Sequence, residues 1–292
     1  MIHKKIWKEW LVDVRPRVVS KFAHEFIGCM LFHFLGSVGQ TPVANAVALM
    51  VLVYYTAKTS DAHLNPALSL TFSILGYTNP LELLFYWAAQ ISGAAMGAMW
   101  LALLVPDIQI RSKNLHIVPY QRYDGCFLPR QDLSYAQIFG WEAFATFAFI
   151  VPIFSVVWYT LRKRGYGNTG PLMIGLSLYA AAAAANPFTG AALNPARVLG
   201  SPIVFDCRNR DFLFYYIIGE LVGALLVPLV IIPWYGIARE AWYLDTIPFF
   251  IKKRMKLCQP SLRIKDTDTI NTIDTIQAKP SDPNDPNDPI NP

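Results

Sequence analysis

The chain of 292 residues is 54% hydrophobic and 14% aromatic and carries only 15% charged residues, against roughly a quarter in an ordinary soluble domain. That deficit excludes a charge-coated soluble protein and points to lipid as the solvent. The net charge of +5 would suit nucleic acid, but the basic residues cluster beside apolar runs as membrane anchors do, which excludes that partner.

Residues 1–20 include Lys4, Lys5, Lys8, Arg15 and Arg17 and have neither an apolar stretch nor a small-residue cleavage signature. They read as a cytoplasmic segment with no removable signal peptide, the first span serving as insertion signal. Residues 21–240 read as one membrane domain of two halves, 21–106 and 135–240. It contains six apolar runs, 22–38, 42–57, 81–105, 135–161, 171–185 and 212–235. About 20 residues cross a bilayer core, and flanking Ala, Ser and Thr extend the shorter runs. Further basic clusters follow the fourth run (Arg162, Lys163, Arg164) and the sixth (Lys252, Lys253, Arg254, Lys256). With six spans all the clusters fall on one side, which the positive-inside rule makes cytoplasmic, so both termini are expected there, in the plasma membrane. Residues 241–292 read as a cytoplasmic tail, disordered from about 258, where Asp, Thr, Asn and Pro dominate.

Cys29, Cys126, Cys207 and Cys258 show no metal-ligand spacing. Cys126 and Cys207 fall in loops on the non-cytoplasmic side, where a disulfide could form. Sequence fixes neither its distance nor its geometry, so the expectation is two unpaired thiols.

The two halves carry matching landmarks in the same order. Glu25 and Glu142 stand in spans one and four, followed by Asn65-Pro66-Ala67 and Asn194-Pro195-Ala196, then by Gly93-x-x-x-Gly97 and Gly219-x-x-x-Gly223. Three spans per half give the halves opposite orientations, the inverted repeat of many transport proteins. The fold class expected is all-α: six transmembrane helices plus two re-entrant half-helices.

Each triplet reads as a helix start, with Asn as N-cap and Pro at the first helical position, where its missing N–H costs nothing. The apolar stretches that follow, 68–74 and 198–204, make about two turns each, roughly 10 Å. Entering from opposite faces, they would bring two positive dipole ends together near the midplane. Asn65 and Asn194 would donate to a passing water or hydroxyl oxygen, and the converging dipoles would oppose cations and hydrated protons. Backbone carbonyls of Ala62, His63 and Leu64, and of Gly190, Ala191, Ala192 and Leu193, would supply acceptors.

Arg197 follows the second triplet, where the first has Leu68. A charge in a transmembrane half-helix is costly unless it faces water or the bundle interior, so it is read as a cation barrier near one mouth. Glu25 and Glu142 are read as braces for the re-entrant loops rather than as proton relays. Glu220 is assigned no acidic partner, its match in span three being taken as Ala94, and its role is left open. His24, His33 and His63 are read as satisfied interior side chains, with no metal or cofactor implied. The glycine pairs are read as close helix contacts. No nucleophile, base and orienting group occur together, which argues against an enzyme. A coupled transporter would need an ion site, and the spans offer only these three glutamates for one.

The paired Asn-Pro-Ala boxes, the arginine after the second and the glutamates of spans one and four resemble the major intrinsic protein family, the aquaporins and aquaglyceroporins, over about residues 20 to 240. The resemblance implies a right-handed bundle assembled as a homotetramer with one pore per subunit. It implies that Asn65, Asn194 and Arg197 line the pore, that Glu25 and Glu142 bond to the half-helix loops, and that Asn45, Ala182 and Ala191 complete an outer constriction with Arg197. The chain departs from water-selective members, which have an aromatic in the second span and a histidine in the fifth, and from glycerol-conducting members, which carry an aspartate where Val198 stands. With two alanines in the constriction, the expectation is passage of water and small uncharged solutes such as glycerol or urea. The alternative is a strictly water-selective pore with an unusual filter.

Overall fold

The computed structural model describes residues 15–105, 124–160, 169–205, 207 and 210–235. Residues 1–14 of the expected N-terminal segment and the tail 241–292 lie outside these. The described residues form eight helices and no strand: α1 (Arg15–Gly39), α2 (Pro42–Ser60), α3 (Pro66–Ile74), α4 (Pro80–Leu104), α5 (Tyr135–Thr160), α6 (Gly170–Thr189), α7 (Pro195–Val204) and α8 (Arg210–Tyr235).

Helix starts follow local chemistry. Four helices begin on proline, each preceded by a residue whose side-chain oxygen accepts an early N–H: Thr41 before Pro42, Asn65 before Pro66, Asn79 before Pro80 and Asn194 before Pro195. The first span begins at Arg15, one to two turns before its apolar run. Among the described residues five helices are long and apolar enough to cross a membrane. The 19-residue α2 is not among them, because Asn45, Tyr54, Tyr55 and Lys58 dilute its apolar character. It still takes the place in the first half that α6 takes in the second.

Packing shows the inverted repeat directly. α1 packs on α4 as α5 packs on α8, α1 on α2 as α5 on α6, and α2 meets α6 across the pseudo-twofold. Each half-helix leans on the last span of the other half, α3 on α8 and α7 on α4. Gly93 and Gly97 allow the close approach of α1: a Cβ there would strike the carbonyl oxygens of Phe26 and Met30. Gly219 and Gly223 meet the carbonyls of Phe139 and Ala143 in the same way.

Polarity is distributed as lipid requires. Val51, Leu84, Leu103, Phe144, Leu229 and Trp234 face outward, while Glu25, Gln90, Glu142 and Glu220 are fully buried.

One expectation is overturned here. Cys126 and Cys207 form a disulfide, with Cα atoms 5.7 Å apart. The segment from Asp124 folds back over the end of α7, where Ser201 Oγ donates to the Asp124 carbonyl, and the two thiols meet. Cys29 is free and buried, and Cys258 lies outside the described residues.

Candidate pore

The two asparagine loops meet at the centre of the bundle. Asn65 Oδ1 accepts from the Ala67 N–H at 2.9 Å and Asn194 Oδ1 from the Ala196 N–H at 3.0 Å, fixing both amides at half-helix N-termini. Each amide then reaches across to the other loop. Asn65 Nδ2 donates to the Leu193 carbonyl at 2.7 Å, and Asn194 Nδ2 to the Leu64 carbonyl at 2.8 Å. An amide nitrogen carries two hydrogens, so each asparagine keeps a second N–H for something else.

The loops take a conformation that side chains rarely adopt. Ala62 and Leu64, and at matching places Ala191 and Leu193, have φ between 50° and 54°, at a cost of about 1–3 kcal/mol each. Buried carboxylates offset it. Glu25 accepts from the N–H groups of His63 (3.0 Å) and Leu64 (2.7 Å), from the Ser60 hydroxyl (2.7 Å) and from Gln90 Nε2 (2.7 Å). Glu142 accepts from the N–H groups of Ala192 (3.4 Å) and Leu193 (3.0 Å). Tyr86 donates to the Ser60 carbonyl and Tyr216 to that of Thr189, closing the last turns of α2 and α6.

The open role of Glu220 is filled here, and its match is corrected. Glu220 Oε1 accepts from the Asn194 N–H at 2.7 Å. Gly93 packs on the residue after Glu25, and the glycine that packs on the residue after Glu142 is Gly223. Three residues before each stand Gln90 and Glu220, so Glu220 corresponds to Gln90 rather than to Ala94. All three buried glutamates are engaged by backbone N–H groups. Two of the three histidines are interior: His63 stacks between Phe72 (4.3 Å) and Tyr86 (4.4 Å) with Nδ1 3.1 Å from Ser69 Oγ, and His33 Nε2 lies 2.9 Å from Ser201 Oγ while its Nδ1 has no partner. His24 is only half-buried, with Nδ1 2.8 Å from the Ser20 carbonyl. Among the described residues no three His, Cys, Asp or Glu gather to hold a metal.

A cavity of about 40 Å³ passes both asparagines, enough for roughly three waters. Of the residues singled out in the sequence, Ala62, His63, Leu64, Asn65, Ala192, Leu193 and Asn194 line it. The expected constriction residues Asn45, Ala182, Ala191 and Arg197 lie outside this lining, as do Gly190 and the prolines and alanines of the boxes. Arg197 is nevertheless buried, with its guanidinium over the rings of Phe32 (4.9 Å) and Phe127 (5.2 Å). Asn45 donates to the Thr41 carbonyl at 2.9 Å, while its Oδ1 is buried without a partner. Gly36 lets Asn45 and Arg197 come together, since a Cβ there would strike both side chains. Ala182 and Ala191 are buried in the central apolar cluster.

Residues 15–231 match the family described as Major intrinsic protein. The chain belongs to that family. Aquaporin TIP2-2 of Zea mays is 28% identical over 231 residues, covering 73% of this chain and 86% of the relative. Aquaporin TIP2-3 of Arabidopsis thaliana is 28% identical with the same coverage. The X-ray structure of the aquaglyceroporin from Plasmodium falciparum superposes with a TM-score of 0.64 at 22% identity, covering 73% of this chain and 95% of that one, and shows the same fold. This major intrinsic protein is a multi-pass membrane channel protein, not an enzyme. Its TIP-type relatives give no support to the expected plasma-membrane location.

The apolar wall of this family member was not singled out in the sequence. Leu49 and Val53 follow Asn45 at steps of four, and Leu178 and Ile174 precede Ala182 at the same step. Phe32 and Phe149 stand seven residues after Glu25 and Glu142. Helical periodicity counted from the landmarks already identified is the signal that finds them.

Proposed function

We propose that this chain is a passive channel for water and small uncharged solutes such as glycerol or urea that excludes protons and ions. The observation that carries the reading is the crossed pair of asparagines. Each spends one amide N–H on the opposite loop and keeps the other at a half-helix N-terminus beside a narrow cavity. A permeating oxygen accepts there from two fixed donors, and the two positive helix ends oppose cations. The carbonyls of residues 62–64 and 190–193, a stretch in which Ala62, Leu64, Gly190, Ala191 and Leu193 are left-handed, supply acceptors along the path. Arg197, with Asn45, Ala182 and Ala191, forms the outer filter.

The functional unit is residues 21–240, in halves 21–106 and 135–240, assembled as a homotetramer in the bilayer. The open apolar groove between α5 and α6, lined by Trp141, Phe144, Ala148, Met173, Leu176 and Ala180, offers a face for a neighbouring copy. Both termini lie in the cytoplasm. Two features support that orientation: six spans put the basic clusters of the sequence on one side by parity, and the Cys126–Cys207 bridge suits a non-cytosolic compartment.

A specific observation favours the second reading, a strictly water-selective channel: the cavity is narrow and its walls are mostly apolar. Stopped-flow swelling of reconstituted vesicles with water, glycerol and urea decides between them. Water flux above that of empty vesicles together with glycerol or urea flux is expected. Water flux alone would leave the second reading, and no flux above empty vesicles would reject both.

A further inference from the structure

Arg197 is held in an unusual way. It is buried, its Nε has no hydrogen-bond partner, and two aromatic rings approach its guanidinium. Phe32 comes from α1, within the bundle. Phe127 comes from a strap, residues 124–130, that connects to α5 and crosses over the end of α7.

The strap is fastened on both sides of Phe127. On one side Cys126 is bridged to Cys207 across a sequence separation of 81, and its N–H donates to Asp124 Oδ1 at 3.0 Å. Gly125 there has φ +68°, and a Cβ would crowd the hydroxyls of Ser37 and Ser201. On the other side the Arg130 N–H donates to the Phe188 carbonyl at 2.8 Å, and its guanidinium lies over the Phe188 ring at 5.0 Å. Between these anchors the Phe127 ring rests against Arg197, Gly190 and Tyr216. Asn45, Ala182 and Ala191 bring no ring to the outer filter.

Building on the reading of Arg197 as a filter residue, we propose that Phe127, fixed in place by the Cys126–Cys207 bridge, positions the Arg197 guanidinium and so sets the solute selectivity of the pore. Phe127 is a positioning residue. Its face stabilises the cation in one place, and the bridge removes the freedom by which the strap could lift it away. Opening the bridge then loosens the filter without touching a pore-lining side chain, which makes selectivity sensitive to the redox state of the compartment that the strap faces.

The test uses the full chain in vesicles, with water, glycerol and urea permeabilities measured before and after dithiothreitol on both sides. The dithiol reduces the bridge to two thiols and leaves as its own cyclic disulfide, and maleimide labelling reports the thiols formed. Reduction, or Cys126→Ser combined with Cys207→Ser, should raise the urea-to-water permeability ratio on the order of threefold to tenfold. Phe127→Leu should give the same rise and abolish the response to dithiothreitol, while Phe127→Tyr should keep the parent ratio. If the serine pair does not fold, reduction of the folded parent carries the test. A parent ratio unchanged after confirmed reduction overturns the proposal, as does a response that persists in Phe127→Leu, or labelling of both thiols before any reductant. Parent vesicles no more permeable than empty ones would instead reject the channel reading on which it rests.

Discussion

The first asparagine loop is held by one acid with a full set of donors, and the second by two acids that share the work. Glu25 alone takes two backbone N–H groups, a hydroxyl and the Gln90 amide. In the second half Glu142 takes two N–H groups and Glu220, standing where Gln90 stands in the first, takes the third, that of Asn194. The entrances differ as well: Leu68 opens the first half-helix after its Pro-Ala, and Arg197 the second. A repeated scaffold thus fixes the loops symmetrically, and the substitutions that break the symmetry put charge into one half.

The largest effect should come from removing the acid with the most donors. Glu25→Ala strands the buried His63 and Leu64 N–H groups at about 1–3 kcal/mol each and takes one acceptor from Ser60 and from Gln90, so folded protein should be lost in detergent chromatography. Glu142→Gln keeps an acceptor and should lower the melting temperature and yield more than it changes permeability per folded channel. Equal melting temperatures for Glu25→Ala and the parent would remove the asymmetry of bracing. A new pH dependence of flux in Glu142→Gln at unchanged yield would contradict a bracing role.

Arg197→Val makes the second entrance resemble the first. A fixed guanidinium charge in a narrow, partly desolvated passage is a strong cation barrier, so proton or sodium leak should rise on the order of tenfold. A leak equal to that of the parent would show that the arginine is not the barrier.

Val53 in α2 and Ala182 in α6 occupy matching places, both 12 residues before their asparagines, and the second half carries the smaller side chain. Ala182→His should cut glycerol or urea flux several-fold more than water flux. Equal losses of both in swelling assays would mean that this position does not sieve solutes.

The smallest effect should follow Glu220→Gln, which copies the Gln90 arrangement into the second half. The amide oxygen can still accept from Asn194, so stability should change by about 1 kcal/mol or less. The reciprocal Gln90→Glu replaces the donor to Glu25 by an acid and should be clearly more destabilising. Thermal melts showing the opposite order would break the match between the two positions.

Much of this architecture was legible from residues close together in the chain. An Asn-Pro-Ala triplet fixes a helix start because the cap bond and the missing proline N–H are local, and its recurrence after a glutamate-bearing span gave the inverted repeat. The expectation that Glu25 and Glu142 face the loop N–H groups rested on the same logic: a buried carboxylate needs donors, and strained loops have them to give. The match of Glu220 was missed although spacing pointed to it, since Gly93 and Gly223 stand at nearly the same distance after their asparagines, and the carbonyl that each glycine touches fixes that register.

By itself, then, the sequence determined the solvent, the repeat, the half-helix starts and the charges that belong inside, since periodicity, capping and the cost of burying charge act over a few residues. Tertiary structure decided what depends on closing long stretches of chain. It paired Cys126 with Cys207, laid Phe127 on Arg197, crossed each asparagine onto the opposite loop and set Asn45 beside Gly36 and the arginine. Such distances follow from how the helices pack together, and no spacing along the chain encodes them.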